Sequence, residues 1–162
     1  MKASSRLAMI LMGCCGLWST PAFSAITCTV SATGVAFGVY DPLSGNNLDS
    51  TGSLTVTCTR QLLDSRSVRY SVALSSGSSG STTARTMVSG TYSLAYNLYT
   101  NAARTTTWGG TNTPEGTVSF TPILGLLFPT PGNPMSIYGR IFGSQLVPAG
   151  AYSDTITATV LY

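Results

Sequence analysis

Few side chains in this sequence are suited to catalysis. Its 162 residues include five carboxylates and no histidine. Histidine is the side chain that most often transfers protons in enzymes, so its absence removes the commonest general base. The groups left for chemistry are the five carboxylates and four cysteines.

The five carboxylates do not form a convincing catalytic pair. Asp41 and Asp49 flank Gly- and Asn-rich turns, where aspartate ordinarily caps a turn. Asp64 lies beside arginines as a surface charge, and Glu115 lies in the turn "NTPEG". We expect Asp154, which precedes the last alternating run, to tie down a loop or a backbone amide. The count alone still permits a paired-carboxylate hydrolase. No two of these carboxylates have surroundings that indicate raised pKa values, so we expect no enzyme and no cofactor.

Residues 1–24 are predicted to be a secretory signal peptide, which leaves one domain over residues 25–162. Two basic residues precede the apolar run "LAMILMGCCGLW", and "PAFSA" offers small residues for cleavage after Ser24. The apolar run is too short to cross a bilayer. An alternative is that "LMGC" acts as a poor lipobox, in which case Cys14 would carry a lipid.

The two cysteines outside the leader, Cys28 and Cys58, are predicted to form a disulfide. An even number of cysteines in an exported chain indicates a disulfide rather than free thiols. The bridge would close a loop of about 30 residues and contribute about 3 to 4 kcal/mol in the chain-entropy model. Two sulfurs without a histidine cannot fill a tetrahedral metal shell, so we expect no metal site.

The charges outside the leader are few and scattered. Lys2 and Arg6 account for two of the eight basic residues, so six arginines face five acids in the predicted mature chain. These arginines form no stripe, which argues against nucleic acid or an anionic membrane as partner. No second apolar stretch indicates an integral membrane span. We therefore expect an exported protein that is released in soluble form.

Short alternating runs bounded by Gly, Pro, Ser or Asn recur along the chain, and none has helical periodicity. They predict an all-β sandwich of six to eight strands. Residues 28–39 read as one bent or bulged strand, and residues 75–84 as a long surface turn. The residues expected to face inward are Cys28, Val30, Ala32, Val35, Phe37, Val39, Leu54, Val56, Cys58, Tyr70, Val72, Leu74, Leu94, Tyr96 and Leu98.

The last alternating run predicts a half-buried strand with nothing after it to pair with. Ile156, Ala158, Val160 and Tyr162 fall on one face, and threonines and a leucine fall on the other. An aromatic residue on the apolar face of a final strand is unusual, since domains commonly end in a polar, frayed tail. The pattern therefore raises the question of what lies beside this strand.

Several ordered pieces resemble one family. "CTVSATGVAFGVYDPL", "STGSLTVTC", "LAYNLYTN" with "WGG", and "IYGRIFGSQLVPAGAYSDTITATVLY" are similar to the spore coat U domain family, which includes pilins of archaic chaperone–usher systems. The resemblance runs from about residue 26 to residue 162. It implies an incomplete immunoglobulin-like Greek-key sandwich that lacks its final strand. In such subunits a periplasmic chaperone fills the gap first, and the N-terminal extension of a neighbouring pilin replaces it, by β-strand addition.

The resemblance also implies partners and a location. The expected partners are a periplasmic pilus chaperone, an outer-membrane usher and a neighbouring pilin subunit. The expected location is the periplasm in transit, and then the cell surface or the medium. Ile156, Ala158, Val160 and Tyr162 would face the donor strand. Four or five apolar side chains buried at about 1.5 to 3 kcal/mol each contribute roughly 6 to 15 kcal/mol. This is as much as the whole stability of an ordinary domain.

The predicted leader cleavage departs from the pattern of a polymerising pilin. Cleavage after Ser24 leaves only Ala25, Ile26 and Thr27 before Cys28. At about 3.3 Å per residue, three residues are too few to span the groove of another subunit. We therefore expect a subunit that accepts a strand and donates none, which corresponds to a tip or initiating subunit with a role in adhesion or biofilm.

The segment "PILGLLFPTPGNP" is the candidate adhesive loop. Its apolar residues include Leu124, Leu126, Leu127 and Phe128, between two prolines. A sizeable exposed apolar patch would indicate a surface that binds hydrophobic material. The alternative is that this segment is a buried strand edge followed by a loop.

A second class of function remains open. Trp108, Tyr99 and Tyr138 could stack on sugars, although such residues more often fill the ends of a sandwich or form cross-strand pairs. The competing hypothesis is therefore a self-contained secreted spore-coat or matrix protein, or a small carbohydrate-binding module, whose sandwich is complete.

Overall fold

The computed structural model describes residues 26–61, 64–121 and 128–162. Within these ranges the chain forms nine β-strands and one short 3-10 helix. The strands are β1 (Thr27–Thr33), β2 (Leu48–Thr59), β3 (Ser67–Leu74), β4 (Arg85–Ser89), β5 (Tyr92–Tyr99), β6 (Glu115–Ser119), β7 (Thr130–Pro131), β8 (Met135–Ile141) and β9 (Ala158–Leu161). The 3-10 helix, η1, is Gly77–Ser79. No helix in the described ranges is long and apolar enough to cross a membrane.

The strands form two antiparallel sheets that enclose one core. The first sheet has the order β1-β2-β8-β5-β4, with β7 also pairing with β2. The second has the order β6-β3-β9. We call them the large and the small sheet. The predicted all-β sandwich is confirmed, and this packing of two sheets places the core between their inner faces.

Most of the predicted inward-facing residues form the core. The confirmed residues are Leu54, Val56, Cys58, Tyr70, Val72, Leu74, Leu94, Tyr96 and Leu98, each no more than 5% exposed. These residues alternate with polar residues or alanine along β2, β3 and β5, as expected for strands with one face on a core.

Three residues in or near β1 that were predicted to face inward are exposed instead. Val39 is 93% exposed because Gly38 has φ +78°, which takes the backbone out of strand geometry and breaks the alternation. Val30 is 37% exposed and Ala32 is also exposed. β1 lies at the edge of the large sheet, where β2 is the one described strand that pairs with it.

The disulfide between Cys28 and Cys58 is confirmed. The two residues lie directly opposite each other on β1 and β2, and their Sγ atoms are 2.05 Å apart. Cys58 is fully buried and Cys28 packs against the core at its edge. The bridge therefore joins the edge strand β1 covalently to the rest of the large sheet.

A buried arginine joins the two sheets at one end of the sandwich. Arg85, on β4, is fully buried, and its guanidinium donates hydrogen bonds to the carbonyl oxygens of Ser75 (2.7 Å) and Trp108 (2.8 Å). It also donates to the side-chain oxygen of Asn97 at 2.9 Å. Burial lowers the pKa of Arg85, but the hydrogen bonds satisfy the cation without a carboxylate partner. Because Ser75 follows β3, Arg85 ties the end of the small sheet to the large one.

Candidate functional site

An elongated cavity of about 890 Å³ opens between the two sheets, and we call it the groove. One wall contains residues 32–40, and the other contains residues 147–150, 152–156 and 158. Its floor is the inner face of the core, including Leu54, Leu74, Met87, Leu94, Tyr96, Leu98, Ile137 and Ile141. The lining is mostly apolar, as in sites that bury the apolar side of a ligand.

Both walls of the groove present unpaired backbone. β9 pairs with Ser71–Leu74 of β3 on one side, and no described strand pairs with its other side. On the opposite wall, residues 35–40 lie outside the strands and make no backbone–backbone hydrogen bond to another described residue. In this wall the Ala36 carbonyl accepts a hydrogen bond from the Ser50 hydroxyl at 2.6 Å. The other backbone groups of the wall and the outer edge of β9, whose Ala158 lines the cavity, are available as a template for an added strand.

The side chains of the first wall hold it against the large sheet. Val35 and Phe37 are half-buried, and the Phe37 ring meets Tyr96 edge to face at 6.0 Å. Gly139 in β8 makes this possible, because a Cβ there would lie 2.6 Å from Val35 and 2.7 Å from Phe37. The sequence analysis placed Val35 and Phe37 inward but did not recognise that their segment leaves the sheet and forms a wall.

The four residues predicted for the second wall do not share one environment. Ile156 and Ala158 line the cavity, and both are half-buried. Val160 packs against the core at its margin without lining the cavity. Tyr162 is 57% exposed. Of these four residues, the structure places only Ile156 and Ala158 on the cavity, opposite the wall around Phe37 that the sequence analysis did not predict.

Among the described residues, Asp154 is the one charged side chain that lines the groove. Its Oδ1 accepts hydrogen bonds from the backbone N–H of Ser78 (2.9 Å), the Ser78 hydroxyl (2.7 Å) and the Thr155 N–H (2.9 Å). Its Oδ2 accepts the Tyr96 hydroxyl at 2.7 Å. Burial alone raises the pKa of Asp154, but the hydrogen bonds from Ser78, Tyr96 and Thr155 outweigh burial and hold that pKa below its usual value. The expectation that Asp154 ties down a loop and a backbone amide is confirmed.

Asp49 does not cap a turn, contrary to the sequence expectation. It lies in β2, and both of its oxygens accept hydrogen bonds from Arg140 on β8, at 2.7 and 2.8 Å. Arg104 approaches the same carboxylate at 3.2 Å. The hydrogen bond from Arg140 lowers the pKa of Asp49. This cluster does not line the groove, and an exposed ion pair of this kind stabilises a protein little.

The three aromatic residues considered for sugar stacking offer no open platform. Trp108 is fully buried, and its indole N–H donates to the Val72 carbonyl at 2.9 Å. Tyr99 is 8% exposed, and the Arg104 guanidinium lies 5.7 Å from the ring centre of Tyr138. Trp108 and Tyr99 fill the interior, which is the use that the sequence analysis considered commoner for such residues.

The remaining expectations concern the candidate adhesive loop and a metal site. Leu124, Leu126 and Leu127 of the candidate adhesive loop lie outside the described residues, whereas Phe128 is described and is 62% exposed. Among the described residues, no cluster of three His, Cys, Asp or Glu could hold a metal ion.

Two antiparallel sheets with one open strand position in the described residues define an incomplete immunoglobulin-like Greek-key sandwich. The fold is similar to that of a chain in the pre-assembly complex of the chaperone CsuC with the tip adhesion subunit CsuE, from archaic chaperone–usher Csu pili of Acinetobacter baumannii. The TM-score is 0.54 at 22% identity. The match covers 85% of this chain and 40% of that one, so our chain spans less than half of its structural relative.

The sequence comparisons give the family. The family model of the spore coat protein U domain matches residues 17–159. Protein U of Myxococcus xanthus is 36% identical over 135 residues, which cover 78% of this chain and 70% of that protein. The chain therefore belongs to the spore coat protein U domain family.

The lowered pKa of Asp154 predicts a pH-dependent stability. An unfolded aspartate has a pKa of about 3.9, and the folded-state pKa lies below it. The contribution to stability is therefore present above the unfolded pKa and is lost as pH falls through the folded one. Asp154→Asn should lower the free energy of unfolding at neutral pH and make its fall between about pH 5 and pH 2 shallower. Urea denaturation over this range measures both effects.

The control for this experiment is Glu115→Gln, which removes one negative charge from an exposed position on β6, away from the groove. If Asp154→Asn and the unchanged chain lose stability with the same slope, the hydrogen-bonded carboxylate contributes nothing to acid sensitivity. Asp49 should supply a remaining slope in both proteins, because its pKa is also lowered.

Proposed function

We propose that this chain is an exported, non-catalytic subunit of a chaperone–usher pilus, and that its groove accepts a β-strand from another polypeptide. The observation that supports this function most directly is the pair of unpaired edges, residues 35–40 and β9, on opposite sides of one apolar groove. The similarity to a chaperone–subunit complex of archaic pili supports the same function.

The physical basis of the proposal is strand addition. A donor strand would pair its backbone with β9, and alternate side chains would enter the groove above Leu74, Leu94 and Tyr96. Four or five buried apolar side chains contribute roughly 6 to 15 kcal/mol, which is comparable to the stability of a whole domain. Binding of the donor would therefore complete the folding of this chain.

The partners and the location follow from this assignment. A periplasmic chaperone would supply the first donor strand, an outer-membrane usher would receive the complex, and a neighbouring subunit would replace the chaperone. Residues 1–24 would direct export as a signal peptide, and residues 25–162 would form the pilin-like domain. The product would pass through the periplasm to the cell surface or the medium.

Ala158→Arg is predicted to abolish capture by the chaperone. Ala158 lines the groove opposite Leu74, so a long charged side chain there would occupy the path of the donor strand. The matched control is Thr159→Arg, because Thr159 is the next residue of β9 and is exposed on the outer face. Co-purification with the chaperone from the periplasm is the measurement. Equal recovery of both variants with the chaperone would contradict the proposal.

Within the pilus, we propose the tip or initiating position. Cleavage after Ser24 would leave three residues before Cys28, too few to fill the groove of another subunit at about 3.3 Å per residue. The predicted outcome is that intact mass and N-terminal sequencing of exported protein give a start at Ala25. A start near residue 14 would supply a donor segment of useful length and would remove the basis for this position.

The proposed role at that position is adhesion through Leu124, Leu126, Leu127 and Phe128. The exposure of Phe128 supports this role. Replacing Leu126, Leu127 and Phe128 together by serine should leave assembly intact and reduce attachment of cells to a hydrophobic surface. The triple variant would instead be absent from the pilus if these residues belong to the core. Surface display, measured by immunoblotting of sheared fibres, separates the two outcomes.

The alternative function is a self-contained secreted coat or matrix protein, and the relationship to Protein U supports keeping it. The two functions differ in their need for a partner. A self-contained protein would be a soluble monomer that unfolds cooperatively whether or not the chaperone is expressed with it. A pilus subunit would be less stable without the chaperone and would be recovered in much smaller amounts as a monomer.

A further inference from the structure

The loop between β3 and β4 forms hydrogen bonds with residues 154–157, the segment that leads into β9. We call residues 75–81 the serine loop. The backbone N–H of Ser75 donates to the Thr157 carbonyl, and the Thr157 N–H donates to the Ser75 hydroxyl, both at 2.9 Å. Three residues further along the loop, Ser78 donates its backbone N–H and its hydroxyl to the Asp154 carboxylate. The sequence analysis described this region only as a long surface turn.

The segment formed by residues 154–157 pairs with no described strand of either sheet. Ser153 still exchanges backbone hydrogen bonds with Val88 of the large sheet, whereas Ala158 begins the pairing of β9 with the small sheet. Residues 154–157 cross between the two sheets. In the described structure their hydrogen bonds to other segments go to the serine loop and, through Asp154, to Tyr96.

The serine loop is held in place by Arg85, and its backbone leaves space for the Asp154 carboxylate. The Arg85 guanidinium donates to the Ser75 carbonyl from two nitrogens, at 2.7 and 3.0 Å, so the root of the loop is tied to the buried cation. Gly77 has φ +64°, and a Cβ at this position would overlap the Asp154 carboxylate. The missing side chain of Gly77 therefore makes the space in which the carboxylate lies.

We propose that the serine loop is a clamp that keeps residues 154–157 in their strand-accepting position while the groove is empty, with Asp154 as its positioning residue. This inference rests on the proposed function and adds the part that prepares the groove. The apparent affinity of a partner falls in proportion to the fraction of the protein that is competent to bind. A clamp that keeps this fraction near one raises the apparent affinity for the incoming strand, because no binding free energy is used to order the wall.

Gly77→Ala tests the clamp without replacing any residue of the groove lining or of β9. The matched control is Gly80→Ala. Gly80 has a similar φ of +74°, so alanine meets similar backbone strain there, but a Cβ at Gly80 would contact nothing within 4 Å. The difference between the two variants therefore isolates the displacement of the Asp154 carboxylate.

The first measurement is hydrogen exchange of the exported chain alone, followed by mass spectrometry. Gly77→Ala should accelerate exchange in residues 155–161 by about tenfold relative to Gly80→Ala, with β2 and β8 unchanged, because only the wall opens locally. Equal exchange in the two variants would overturn the proposal. Acceleration throughout the domain would overturn it too, and so would fast exchange of residues 155–161 in the unchanged chain.

The second measurement repeats the exchange on the complex with the periplasmic chaperone. There the donor strand should protect residues 155–161 equally in both variants, and Gly77→Ala should bind the chaperone about tenfold more weakly than Gly80→Ala. A persistent difference in exchange within the complex would overturn a role confined to the empty groove. If no chaperone complex forms even with the unchanged chain, the proposed function fails, and the first measurement still decides whether the loop holds the wall.

Discussion

The structure depends on the separation of two unpaired strand edges. Residues 35–40 and β9 both carry free backbone groups and half-buried apolar side chains, and they face each other across one groove. Pairing them directly would satisfy the backbone and cover the core, as in an ordinary sandwich. They remain apart because each is held to a different sheet: Phe37 packs over Gly139 in the large sheet, and β9 pairs with β3 in the small one.

The buried polar groups explain how such an open sandwich stays assembled. Apolar burial is incomplete along the groove, so it cannot alone define the relative positions of the two sheets. At one end of the sandwich, directed hydrogen bonds fix the position of one sheet relative to the other. Arg85 reaches from β4 to the carbonyl that follows β3, and the Trp108 indole donates to Val72 within β3. A buried cation that lost these acceptors would be costly, so the arrangement favours a single geometry.

The sequence predicted what depends on local alternation and missed what depends on distant partners. The strands carrying Leu54, Val72 and Leu94 were predictable because an apolar residue at every second position has few other uses. The Cys28–Cys58 pair followed from counting cysteines in an exported chain. By contrast, the partners of Asp49 and Asp154 are 91 and 76 residues away in sequence, so neither pairing was visible. The residues next to Arg85 are polar or small and did not indicate that the fold would bury its side chain. The wall at residues 35–40 was missed because its apolar pattern is the same in a sheet and beside a groove.

The position of the disulfide affects how the domain responds to mechanical load. A pull on the chain upstream of β1 meets Cys28 near the start of that strand, directly opposite Cys58 in the core. Past the first residue pair, Thr27 with Thr59, the tension passes through a covalent bond into β2 before it reaches the remaining pairs of β1 and β2. An edge strand without this bond would open one residue pair at a time, since peeling loads each pair in turn. Here β1 cannot be peeled from its upstream end, and the load is shared by the wider sheet.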